Sequence, residues 1–74
     1  MNRFRVRSGA LEKIMQERFL SVLELSKISG LSRPSLYSII NEKVSYVRVA
    51  NCKKLAEALE VSVEDIFYVE NSNR

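Results

Sequence analysis

Residues 21–41, SVLELSKISGLSRPSLYSIIN, hold the pattern that most restricts how this chain can fold. Ser21 followed three positions later by Glu24 is a capping box: the hydroxyl accepts from the Glu24 amide while the carboxylate reaches back to the Ser21 N–H. From there Val22, Leu25, Ser26 and Ser29 recur at helical spacing on one face, with Ile28 at its edge. Gly30 ends the segment, because a helix C′ position favours the positive φ that glycine adopts without strain. Leu31 alone separates that glycine from the next cap, Ser32. Pro34 falls in the first turn of the following helix, where its missing N–H costs no intrahelical bond. Two short helices joined by so tight a corner must cross closely. Ser26 is small enough to stand at the crossing, Leu31 plugs the corner, and Leu36 with Ile39 completes the core beneath it.

The flanking segments supply the rest of a helical domain. Asn2 opens the run NRFRVR, whose period of two suits a short extended arm or edge strand. Either Phe4 and Val6 pack on the helices and leave Arg3, Arg5 and Arg7 solvated, which is the favoured reading, or the arginines form a basic arm. Ser8 is the expected N-cap of a first helix reaching about residue 18, with Leu11, Ile14, Met15 and Arg18 sharing a face. The third helix is expected over about 33–41, and residues 42–49 as an extended loop. A fourth helix over about 50–59 buries Cys52, Leu55, Ala56 and Leu59. Ser62 then caps a short last helix, with Asp65 at its third position and Ile66 and Phe67 buried. The expected organisation is a basic arm at 1–7, a helical domain at 8–69 and a disordered tail at 70–74.

Composition agrees with one small domain: 46% of the 74 residues are apolar, and two Gly and one Pro exclude a linker-like chain. No apolar run approaches the roughly 18 residues of a membrane span. The N-terminal arginines precede no apolar segment of the secretory kind. A single cysteine, Cys52, forms no intramolecular disulfide and fits a reducing cytoplasm; its place in the apolar series makes it a buried small hydrophobe. With no histidine, no Cys/His cluster and no phosphate-cradling glycine loop, neither catalysis, nor a metal, nor a cofactor is expected.

The net charge of +3 is unevenly placed. Residues 1–54 hold 11 Lys/Arg against four Glu, a balance of +7, while 55–74 hold Arg74 against five acids, a balance of −4. A basic front and an acidic end suit a polyanionic partner met from one side. The outer face of the third helix collects Pro34, Tyr37, Ser38 and Asn41, with Arg33 on its flank, and shows no carboxylate until Glu42. That is a surface chemically suited to phosphate or base edges.

The pattern Ser21, Leu25, Ser26, Gly30, Leu31, Ser32, Leu36, Ile39 and Lys43 resembles the Cro/C1-type, or XRE-like, helix-turn-helix regulators. Residues 55–62 (LAEALEVS) and 65–67 (DIF) are similar to that family's fourth and fifth helices, so the resemblance spans about 8–69. It implies an all-α, five-helix, lambda-repressor-like domain that binds double-stranded DNA sequence-specifically, commonly as a dimer on a two-fold related operator. Four positions depart from the family. Val22 stands at the usual phosphate-holding glutamine, Ser26 at an alanine, Phe19 at a Gly or Asn, and Arg48 at a Ser or Asp cap.

By this resemblance Ser32, Arg33, Pro34, Tyr37, Ser38 and Asn41 meet DNA. Arg33 can reach a guanine O6/N7 edge or a phosphate, and Asn41 a phosphate or adenine. Tyr37 can meet a phosphate or a thymine methyl, and Pro34 offers only an apolar contact. Backbone contacts are expected from Ser21, Lys43, Tyr46, Arg48, Arg3 and Arg5. Leu23, Tyr68 and Val69 have no obvious cover in the chain, and residues 63–69 are the expected homodimer contact. The reading is a transcriptional repressor of bacterial, phage or mobile-element type, with no room in the chain for a ligand-sensing domain. The alternative is a protein-interaction module, such as the antitoxin of a toxin–antitoxin pair, which would co-purify with a stoichiometric partner. RNA binding is third, because no aromatic stacking platform is present.

Overall fold

A computed structural model describes residues 2–71 of the chain. The capping box forms as its spacing predicts: Ser21 N–H donates to Glu24 Oε1 at 2.8 Å and Glu24 N–H donates to Ser21 Oγ at 3.1 Å. The bond from the Ser21 amide holds the Glu24 carboxyl below its ordinary range. Its contribution to stability is therefore present above the unfolded-chain pKa and is lost as pH falls through the lowered folded value. This cap starts helix α2, Val22–Ser29, which follows α1, Ala10–Glu17, and precedes α3, Arg33–Ile40. Helices α4, Val49–Leu59, and α5, Val63–Ile66, complete the five.

Gly30 takes φ 79°, and Leu31 turns into the core behind it. Ser26 does more than keep the crossing narrow. Its hydroxyl donates to the Leu31 carbonyl at 2.6 Å, while Ser29 Oγ accepts from Leu31 N–H at 3.2 Å. Two serines of α2 thus satisfy both backbone groups of the corner residue, leaving none stranded at a buried turn. A Cβ at Gly30 would meet nothing within 4 Å, so the conformation alone carries the requirement for glycine. Gly30→Ala should therefore cost about 1–2 kcal/mol in urea unfolding, with the spectrum of the folded state unchanged. A neutral result would mean that the turn does not need its left-handed residue.

Fully buried Leu11, Leu25, Leu36, Leu55, Leu59 and Ile66 bring all five helices to one core, and Arg18 donates to the Leu59 carbonyl to tie α1 to the end of α4. Cys52 lies in this core, where burial pushes its thiol up to about 11. It is a neutral packing group at physiological pH.

The expectation of an all-α chain is corrected by a two-stranded sheet. Strand β1, Asn2–Val6, pairs antiparallel with β2, Phe67–Asn71, in the register Val6↔Phe67, Phe4↔Val69 and Arg3↔Glu70. Phe67 is buried as expected, but it opens β2 at φ −124°, ψ 160° and does not end α5. Within the expected 1–7 arm, residues 2–6 are accordingly a packed strand whose Phe4 and Val6 lie against the core. The tail drawn from residue 70 also starts too early, because Glu70 and Asn71 belong to β2; residues 72–74 lie outside those described.

Two further boundaries move. Arg7 N–H donates to the Ile66 carbonyl at 2.7 Å, extending the pairing beyond β1, and Ala10 N–H donates to the Arg7 carbonyl at 3.0 Å in a tight turn. Gly9 supplies that turn with φ 76°, so it, and not Ser8, stands at the start of α1. Residues 42–48 are a loop, Val49 already belonging to α4, but not an unpartnered one: Val47 is buried, and its N–H donates to the Phe4 carbonyl at 2.9 Å. Strand β1 therefore lies between β2 and the loop that follows α3.

Candidate nucleic-acid interface

Helix α3 is held on the surface by its own sequence. Leu36 and Ile39 bury one face, and the Ser32 hydroxyl caps the helix by accepting from Ser35 N–H at 3.3 Å while donating to Ser35 Oγ at 2.9 Å. Arg33, Pro34 and Tyr37 are exposed, Asn41 is exposed at the C-cap, and Ser38 is half-buried. The helix contributes no carboxylate to this face, and its N-terminal end carries positive dipole potential.

The two flanks of α3 differ. On one side Pro34, Ser35 and Ser38 share a shallow groove of about 330 Å³ with Tyr46, Arg48 and Asn51. On the other, Tyr37 and Asn41 border a hollow of similar size beside Glu12, Gln16 and Val22. Positive charge thus flanks one side and a carboxylate the other, giving α3 a direction toward an anionic partner. Ser35 and Asn51 were not singled out in the sequence. Asn51 comes from the first turn of α4, and only the tertiary fold brings that turn to this groove.

The other expected positions fall apart from one another. Tyr46 and Arg48 join the α3 groove, and Lys43 is exposed just beyond the helix, its N–H donating to the Ser38 carbonyl at 2.9 Å. Ser21 is taken up by the α2 cap, which sets the Glu24 carboxylate against its amide. The glutamine position is filled by Val22, which packs partly on the core. Phe19, at the Gly or Asn position, takes φ 55° itself and is 91% exposed. Arg48 stands before α4 without a side-chain capping bond, which leaves its guanidinium to the groove. Arg3 lies beside Tyr46, while Arg5 Nη1 donates to Glu70 Oε1 at 3.0 Å.

A capped helix, a glycine corner and a second, exposed helix without carboxylates define a helix-turn-helix protein. Residues 10–72 match the Cro/C1-type HTH DNA-binding domain, and the chain belongs to that family. It is 38% identical over 58 residues to the HTH-type transcriptional repressor RghR of Bacillus subtilis (strain 168), a match covering 78% of this chain. The chain spans 43% of that relative's length. Among solved structures it is similar to the restriction-modification controller protein C.AhdI from Aeromonas hydrophila, with a TM-score of 0.72 and 26% identity over 78% of this chain and 86% of that one. The biofilm master regulator SinR, solved in complex with DNA, shares the fold with a TM-score of 0.74 at 22% identity, covering 80% of this chain and 97% of that one. No helix among the described residues is long and apolar enough to cross a membrane.

Proposed function

We propose that this protein is a sequence-specific, DNA-binding transcriptional regulator, a repressor of bacterial, phage or mobile-element type, acting in the cytoplasm. The observation that carries the reading is the carboxylate-free exposed face of α3, bordered by Arg48 on one flank. Helix α3 lies in the major groove with its N-terminal residues toward the base edges. Arg33 reads a guanine edge or holds a phosphate, Asn41 meets an adenine or a phosphate, and Pro34 and Tyr37 make the apolar contacts. Ser32 contributes through the helix start that it caps. Lys43, Tyr46 and Arg48 hold the backbone beside the helix. Binding, not catalysis, is the activity, and occupancy of a promoter is the regulatory act.

A homodimer through residues 63–69 would match a two-fold related operator, and exposed Tyr68 and Val69 in that segment support it. Selection from a random duplex pool at low salt tests the reading. Folded protein should enrich one short sequence, repeated at a fixed spacing if the dimer binds. Failure to enrich any sequence would overturn sequence-specific binding. The same failure alongside a stoichiometric co-purifying protein would favour the interaction-module reading, to which Leu23, 47% exposed on α2, would contribute.

A further inference from the structure

Strand β1 and the residue just beyond it carry arginines at three alternate positions, Arg3, Arg5 and Arg7, and the fold gives each a different fate. Glu70 lies directly across from Arg3 in the register, yet its carboxylate accepts from Arg5, the diagonal neighbour, at 3.0 Å. Arg7 turns to the α5 end, where its Nε donates to the Glu64 carbonyl at 2.8 Å and its guanidinium lies 5.6 Å from the Tyr68 ring centroid. Arg3 alone of the three has no carboxylate or carbonyl partner among the described residues. Its Cζ sits 4.7 Å from the centroid of the Tyr46 ring, nearer than that of Arg5, which lies 5.8 Å from the same centroid but is held by Glu70. A guanidinium stacked on a ring loses little hydrogen-bonding capacity, because its donors point outward in the plane.

Tyr46 and Arg48 connect this arginine to α3. They line the groove shared with Pro34 and Ser38, and they also line an adjoining hollow of about 230 Å³ that includes Arg3. The bond from Val47 N–H to the Phe4 carbonyl fixes loop and strand together between these two grooves. Positive charge therefore continues from the flank of α3 across the loop and onto β1 in one rigid piece, ready-made before any ligand arrives.

Resting on the reading that α3 faces duplex DNA, we propose that Arg3, stacked on Tyr46 beside Arg48, forms a phosphate-binding subsite that extends the DNA interface onto the sheet. Arg5 and Arg7 take no part in it. The subsite is sequence-independent: it grips a backbone phosphate flanking the segment read by α3 and sets the register of the helix on the duplex. A folded strand delivers the arginine, so no flexible arm has to be ordered on binding.

Salt titration of the full chain on a fluorescent duplex separates this subsite from general charge attraction. Arg3→Gln should lower the slope of log K against log salt by about one and weaken all duplexes alike, by roughly five- to tenfold at 0.1 M salt. Arg7→Gln removes the same charge from just beyond the same strand and should leave the slope as in wild type. Arg3→Lys should restore the slope, which it would not do if Arg3 acted only by its planar packing on Tyr46. Arg3 is exposed, so its replacement leaves the fold intact, and thermal unfolding checks this. An unchanged slope in Arg3→Gln, or an equal fall in Arg7→Gln, would overturn the subsite while leaving DNA binding by α3 standing. Wild-type protein that binds no duplex at low salt would remove both.

Discussion

Phe67→Ala is expected to leave the protein largely unfolded at 25 °C, as measured by far-ultraviolet circular dichroism and urea titration. The ring is fully buried at the junction of α5 and β2, opposite Val6 in the sheet. Deleting a buried phenylalanine side chain costs about 3–5 kcal/mol, from lost transfer energy and from the cavity that remains. A single core in a domain below about 80 residues supplies roughly the same 3–5 kcal/mol in total. The two quantities meet, so little net stability survives. Tyr68→Ala, one residue on and partly exposed, should cost under about 1 kcal/mol. A cooperative transition in Phe67→Ala with a loss as small as that control would show that the β1–β2 layer is peripheral to the core. The test thus weighs the sheet against the helices as a source of stability.

Arg33→Ala should fold as well as wild type and lose DNA affinity. Arg33 is exposed at the first helical position of α3, so its side chain supports no packing. If its guanidinium meets a guanine edge, the loss should be about 1–3 kcal/mol, or about five- to 150-fold, with preference relaxed at one base pair. If it holds a phosphate, every duplex should weaken alike and the salt slope should fall by about one. Repeating the duplex selection with the variant distinguishes these outcomes. Unaltered affinity and unaltered preference would remove Arg33 from the interface. Tyr37→Ala in the same assay reports on the opposite flank of α3, where Glu12 adjoins the hollow.

The helical part of this fold was legible because its signals are local. Ser21 with Glu24, Gly30, and Ser32 before Pro34 each act within four residues, and each produced the cap or turn its chemistry implies. The core positions of α4 follow from helical periodicity and are buried as that spacing predicts, as are Leu25, Ser29, Leu36 and Ile39, while Val22, Ser26 and Ile40 are half-buried at the edge of the same faces. Ser8 misled because a serine before an apolar run also suits an N-cap, whereas Gly9 was needed to turn the chain out of a strand. Phe67 misled for a similar reason. A buried aromatic after an aspartate-capped turn fits helix and strand equally until its partner is known, and that partner, Val6, lies at the far end of the chain.

The candidate interface divides along the same line. Arg33, Pro34, Tyr37, Ser38 and Asn41 could be named from α3 alone, since one helix sets their common face. Which flank carries positive charge could not, because Arg48 and Asn51 reach the groove only through the packing of α4. Arg3, Arg5 and Arg7 are equivalent in the sequence, and only the fold gives Glu70 to Arg5 and sets Arg3 closest to Tyr46. The amino-acid sequence by itself thus determined the helix-turn-helix and the exposed, carboxylate-free face of α3, through capping, glycine and periodicity acting over a few residues. Tertiary structure alone decided that β1 and β2 close into a sheet and that Arg3 is left on Tyr46, at the edge of the α3 groove. Pairing between residues some 65 positions apart depends on how the whole chain packs, and no short-range signal encodes it.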